Sequence, residues 1–190
     1  MTATLESTTN NGLSATLLAP GRSPEIPEIP ESDDPYGWLV GSWHLDVRHY
    51  RTDVRALGLK GEVHFAWVLE GRAIQDTWIM PPRELRPTYI NRTQNMYGTT
   101  LRVWDPAIGA WRVTWTNPIN GQHDELIGRR VGDDLVQVGR HADGTPIRWM
   151  FRDITPDSFR WIGEALAPDG QTWNLEAEFH ARRIHAQQHE

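Results

Sequence analysis

The chain has 190 residues, a formal net charge of −6, ten tryptophans and no cysteine. That length suits one domain with a substantial core, and the missing thiols exclude a disulfide framework, a thiolate metal centre and thiol nucleophiles. The acidic balance argues against a nucleic-acid partner, which requires a basic face, and no stretch approaches the roughly 20 apolar residues of a membrane-spanning helix.

The chain begins MTATLESTTNNGL, with neither a basic n-region nor an apolar run of secretory length, so the reading is a cytoplasmic protein. Residues 1–34 are polar and Pro-rich and carry the small repeat Pro24-Glu25-Ile26-Pro27-Glu28-Ile29-Pro30-Glu31. Such a run cannot build helix or central strand, which predicts an extended or disordered segment. A strap packed on the domain through Ile26 and Ile29 is the alternative. Residues 35–182 are read as the folded domain and 183–190 as a C-terminal tail.

From Tyr36 onward, short alternating segments are broken by turn chemistry at Asp105-Pro106, Asn117-Pro118, Gly132-Asp133, Asp143-Gly144, Pro156-Asp157 and Asp169-Gly170. Between these turns the pattern predicts strands at 43–51, 58–69, 72–80, 96–104, 110–116, 122–131, 135–141, 146–153, 158–165 and 172–180. Regular short strands of this kind imply an all-β fold, here an up-and-down antiparallel barrel of about ten strands. The link 81–95, PPRELRPTYINRTQN, is long enough to be a lid or rim. Arg83, Arg86, Tyr89 and Arg92 are its candidate ligand contacts, with Asn117 on the neighbouring rim.

Alternation sorts the faces. Trp43, Leu45, Val47 and His49 share a side, as do Val63, Phe65, Trp67 and Leu69, then Ile74, Asp76, Trp78 and Met80, then Trp111, Val113 and Trp115. In the last three strands Trp149 and Phe151, Phe159 and Trp161, and Trp173, Leu175 and Phe179 face inward, opposite a solvated set of Arg148, Arg152, Arg160, Glu164, Glu176 and Glu178. Segments 96–104 and 122–131 declare no face. The inferred interior is therefore aromatic, with Asp76 about midway up and His49 near the mouth as its ionisable exceptions. Those two lie roughly 10 Å apart at ~4.8 Å per strand step, too far to touch.

A buried carboxylate protonates or finds partners. Asp76 is therefore either a general acid or base, a group that orients a ligand, or one half of an internal pair with Arg72, Arg102, Arg129 or an indole N–H. A register slip of one residue turns it outward. His123-Asp124-Glu125 resembles a metal cluster but lacks a second set of ligands at suitable spacing, so no metal site is expected. No phosphate loop, dinucleotide fingerprint or nucleophile elbow occurs, and no cofactor is implied.

Gly41-Ser42-Trp43 at the head of the first strand resembles the lipocalin and wider calycin superfamily, whose Trp closes one end of an up-and-down barrel. The blocks GWLVGSWHLDV, FAWVLEGRAIQDTWIMP, YGTTLRVWDPAIGAWRVTW and DITPDSFRWIGEALAPDGQTW, taken in this order, resemble an uncharacterised bacterial group of lipocalin-like barrel proteins over 36–182. The resemblance implies a calycin barrel with a ligand cavity and no settled activity. Nitrobindins, a haem-binding calycin family, use a late His. His180 shares parity with Glu176 and Glu178, which points it outward and disfavours haem.

Two functions fit these readings. In the first, the barrel binds a small hydrophobic or aromatic molecule among Phe65, Trp67, Trp78, Trp115 and Trp149, with Asp76, Asn117 and Tyr89 as polar contacts. In the second, a cofactor-independent cyclase, isomerase or dehydratase uses Asp76 and His49 as acid and base. A third reading has the tryptophans fill the barrel, the chain then acting through its surface or as a homodimer.

Overall fold

The computed structural model describes Ile29, residues 31–88 and residues 92–185. Its strands are β1 Gly41–Tyr50, β2 Thr52–Asp53, β3 Lys60–Val68, β4 Ala73–Met80, β5 Met96–Asp105, β6 Ala110–Asn117, β7 Gln122–Val131, β8 Asp134–Arg140, β9 Pro146–Arg152, β10 Ser158–Leu166 and β11 Trp173–Arg183. Each wall strand pairs antiparallel with its neighbour in the chain, and β11 returns to pair with β1. Ten strands thus close an up-and-down barrel, with the two-residue β2 folded back on the end of β1. The predicted all-β barrel and its ten segments are what the chain forms. The strands hold because apolar alternation lets each bury one face, while glycines such as Gly132 (φ 63°) and Gly170 (φ 69°) supply left-handed turns that other residues resist. The 58–69 segment stops a residue early: Leu69, with φ 54°, belongs to the turn and is exposed rather than inward.

One end of the barrel is sealed by the segment just before β1. Short 3₁₀ turns at Glu31–Asp33 and Gly37–Leu39 carry Tyr36, Trp38 and Leu39 beneath Trp43, Trp111, Phe151 and Phe159. These rings meet edge to face, with centroids 4.8 Å apart for Trp43 and Phe159 and 5.1 Å for Tyr36 and Trp111. Each indole N–H in the plug finds a backbone carbonyl: Trp38 donates to Pro35 at 2.7 Å, Trp43 to Leu39 at 2.8 Å and Trp111 to Asp33 at 2.8 Å. Those bonds let large amphipathic rings be buried without a stranded donor. Arg183 at the end of β11 lies 4.0 Å from the Trp43 ring centroid and donates to the carbonyls of Val40 and Trp38, tying the plug to the last strand. Ile29 is buried in the same core, while residues 1–28, including Ile26, lie outside the described residues.

Two β-bulges at the other end alter what faces inward. Between Val47 and His49 the β1–β11 register slips, so Tyr50 stands opposite the inward Ala177 and His49 opposite Glu178. Between Gly163 and Glu164 the β10–β11 register slips as well, leaving Glu176 as the extra residue. A bulge adds one residue to one strand and so inverts the side-chain parity beyond it. The expectation that His49, Trp173 and Leu175 face the interior and Glu176 faces solvent is therefore corrected: Tyr50 and Glu176 line the interior. Leu175 pairs with the outward Glu164, and Trp173 lies beneath the outward Arg148, 4.2 Å away. Among the described residues, no helix is long and apolar enough to cross a membrane.

Candidate functional site

The ten tryptophans do not all do the same work. Trp38, Trp43 and Trp111 fill the closed half. Trp78, Trp115, Trp149 and Trp161, with Phe179, wall a cavity of about 480 Å³ that opens at the other end. The wall rings touch in sequence: Trp115–Trp149 at 6.3 Å, Trp149–Trp161 at 5.6 Å, Trp161–Phe179 at 5.4 Å and Phe179–Trp78 at 5.5 Å. Gly98 and Gly163 leave room for this belt. A methyl group at Gly98 would overlap the Trp115 ring, and one at Gly163 would sit 2.8 Å from Trp161.

Between the filled and the hollow half lies a buried ionic layer. Arg102 on β5 is 1% exposed, donates Nη1 to Asp76 Oδ2 at 2.6 Å and donates Nε to Gln137 Oε1 at 3.2 Å. The other Asp76 oxygen accepts the Thr100 backbone N–H at 2.7 Å. The rings of Tyr36, Phe65 and Phe151 lie 5.3–5.7 Å from the guanidinium carbon, a cation–π setting that partly replaces lost hydration. Arg102 lines the cavity and Asp76 does not. The carboxylate thus sits behind the floor, holding the cation that forms it. Burial pushes the Tyr36 phenol upward, opposed in part by Arg102.

At the mouth, His141, just past the end of β8, joins β7 and β11. Its Nδ1 is 2.8 Å from Asp124 of β7, and its Nε2 is 3.1 Å from Glu176 of β11, on the far side of the opening. These two bonds, Asp124's first, hold the imidazole protonated by raising its pKa to about 10. Both ring nitrogens are engaged, so His141 acts as a strap across the mouth and has no lone pair with which to take a proton. Tyr50 lies beside it, its phenol pushed up by burial with Arg51 opposing.

The predicted site residues divide accordingly. Trp78, Trp115 and Trp149 line the cavity. Phe65 lies below the floor against Arg102, and Trp67 packs at the closed end near Gly37, so neither lines it. His49 faces outward because of the bulge. Asn117 is buried, with its Oδ1 accepting the Ile119 N–H at 3.1 Å, and is not part of the lining. Tyr89 lies outside the described residues. In the link 81–95, Arg83 and Arg86 turn onto the wall rather than over the mouth. Arg83 bonds Glu62 at 2.7 Å, and Arg86 donates to the carbonyls of Met80 and Met96. Burial works to raise the Glu62 carboxyl, but bonds from the Arg83 side chain and backbone outweigh it and hold it at about 2.

Sequence reasoning offered Arg102 as one possible partner of Asp76 and placed Trp161 inside, and the structure shows both; it missed the places of Thr100, Asp124, His141 and Glu176 in the site. Alternation separates Asp124, which turns in, from His123 and Glu125, whose side chains are 57% and 81% exposed, so these three neighbours do not converge. Among the described residues no group of three or more such ligands is placed to hold a metal. His180 points outward and bonds Glu178 at 2.9 Å. No protein-family model matches the chain, and no curated protein matches it.

Proposed function

We propose that the protein is a lipocalin-like member of the calycin superfamily that binds a small planar aromatic molecule in the mouth half of its barrel. The observation that carries this reading is the belt of Trp78, Trp115, Trp149, Trp161 and Phe179 around about 480 Å³ of open space. That volume falls in the range of pockets for drug-sized ligands, about 300–1,000 Å³. A closed antiparallel barrel with Gly41-Ser42-Trp43 at its sealed end supports the family reading. Binding is favoured over turnover because neither acid–base candidate, Asp76 or His49, is placed to reach a bound molecule, and His141 is engaged at both nitrogens. Asp76 is spent on Arg102, His141 on two carboxylates, and His49 lies on the opposite face of the wall.

The test is titration of the full chain with planar tricyclic hydrocarbons and ketones, followed by tryptophan fluorescence and calorimetry. Saturable quenching with one site per chain is expected. Absence of saturable binding across such a series would overturn the reading.

A further inference from the structure

The cavity floor is polar in a specific way. Arg102 uses Nε and Nη1 on Gln137 and Asp76 and its guanidinium also lies within reach of the Tyr36 phenol, while no well-formed hydrogen bond among the described residues involves its Nη2. Thr100 also lines the cavity, two residues earlier on the same inward face of β5. Its backbone N–H is committed to Asp76, and no hydrogen bond among the described residues involves its Oγ1. Two side-chain donors thus stand at the bottom of an aromatic slot, both on residues no more than 2% exposed. Displacing water from such a donor without replacing its hydrogen bond is costly, so the occupant that fits best brings an acceptor to them.

The charges then decide what kind of acceptor. Asp76 already neutralises Arg102 at 2.6 Å, so a ligand carboxylate would enter as an unpaired second anion. The mouth reinforces this bias. Asp124, Asp143 and Glu176 line it against His141 and Arg51, an excess of negative charge that opposes entry of anions. A neutral carbonyl suffers neither penalty and offers two lone pairs to the two donors.

Resting on the aromatic-binding reading above, we propose that the ligand is a neutral polycyclic aromatic ketone or quinone-like molecule. It enters carbonyl first and accepts hydrogen bonds from Arg102 Nη2 and Thr100 Oγ1 while its rings lie within the tryptophan belt.

Fluorenone, fluorene and fluorenecarboxylate are near-matched planar tricycles that separate the components of this proposal. Fluorenone should bind the full chain about tenfold or more tightly than fluorene, the scale of one charge-assisted hydrogen bond net of desolvation. Fluorenecarboxylate should bind more weakly than fluorenone. The infrared carbonyl stretch of bound fluorenone should lie below its position in cyclohexane. Thr100→Val should reduce the ketone preference by about threefold, and the paired change Asp76→Leu with Arg102→Met should reduce it to the roughly threefold that Thr100 supplies alone. The wild-type comparison and the infrared band do not depend on any variant folding. Equal binding of fluorene and fluorenone, or an unshifted carbonyl band, overturns the proposal and leaves the aromatic cavity standing. Tightest binding of the carboxylate overturns the neutral head group. Failure of all three probes removes the binding reading itself.

Discussion

Asp76→Asn probes the floor of the cavity directly. The Asp76 and Arg102 side chains are 0% and 2% exposed, and the carboxylate takes a charged hydrogen bond at 2.6 Å and a backbone one at 2.7 Å. Asparagine keeps the shape but offers one acceptor oxygen to two donors and turns its own N–H₂ toward the other. It also removes the negative charge that balances a buried guanidinium. Breaking one side of such a pair costs about 3–5 kcal/mol. With a urea m-value of about 2 kcal/mol/M, the unfolding midpoint should fall by about 1.5–2.5 M at unchanged slope. Replacing both partners by apolar groups, Asp76→Leu with Arg102→Met, strands no charge and should recover most of that loss. A midpoint shift below about 0.5 M for Asp76→Asn, or a double variant no more stable than the single one, would refute the claim that this pair is a closed internal unit.

Other outcomes follow from the same geometry. Gly98→Ala places a methyl group against the Trp115 ring and 2.8 Å from the Thr116 carbonyl, so it should cost about 1–3 kcal/mol in urea unfolding and weaken fluorenone binding by pushing the ring into the slot. The pKa of His141 is about 10 folded against 6.5 unfolded. Because the folded value is the higher one, its contribution is full below about pH 6.5 and disappears as pH rises toward 10. The whole shift corresponds to about 5 kcal/mol, which solvent screening at the mouth reduces to about 1–2. The stability difference between wild type and His141→Gln should therefore shrink by that amount from about pH 6 to about pH 10, and a difference independent of pH contradicts the strap. Arg183→Lys cannot keep both carbonyl bonds and the stacked plane over Trp43. It should lose about 1–2 kcal/mol by urea unfolding, and Arg183→Met more.

The wall was legible because nearly every strand obeys the period of two: Trp43, Leu45 and Val47, or Trp111, Val113 and Trp115, could only bury one face. β5 and β7 were not, because their inward residues are polar where the cavity needs them to be. Thr100, Arg102 and Asp124 turn in while Leu101, Val103 and Ile127 turn out, the reverse of what hydrophobicity alone suggests. The bulges on β1 and β11 defeated the reading of His49 and Glu176 for a different reason. An added residue changes parity without changing composition.

The chain's own residue order determined the β class, the ten-strand meander, the depth at which Asp76 lies and the concentration of indoles inside, since these depend on local alternation and turn chemistry. Closure decided the rest. Arg102 meets Asp76 only because β4 and β5 lie side by side, and it meets Gln137 only because β8 also faces inward. His141 reaches Glu176 only because β11 curves back around the opening. Those contacts join positions far apart in the chain, where no local pattern can register them, and they convert an aromatic interior into a slot with a donor floor.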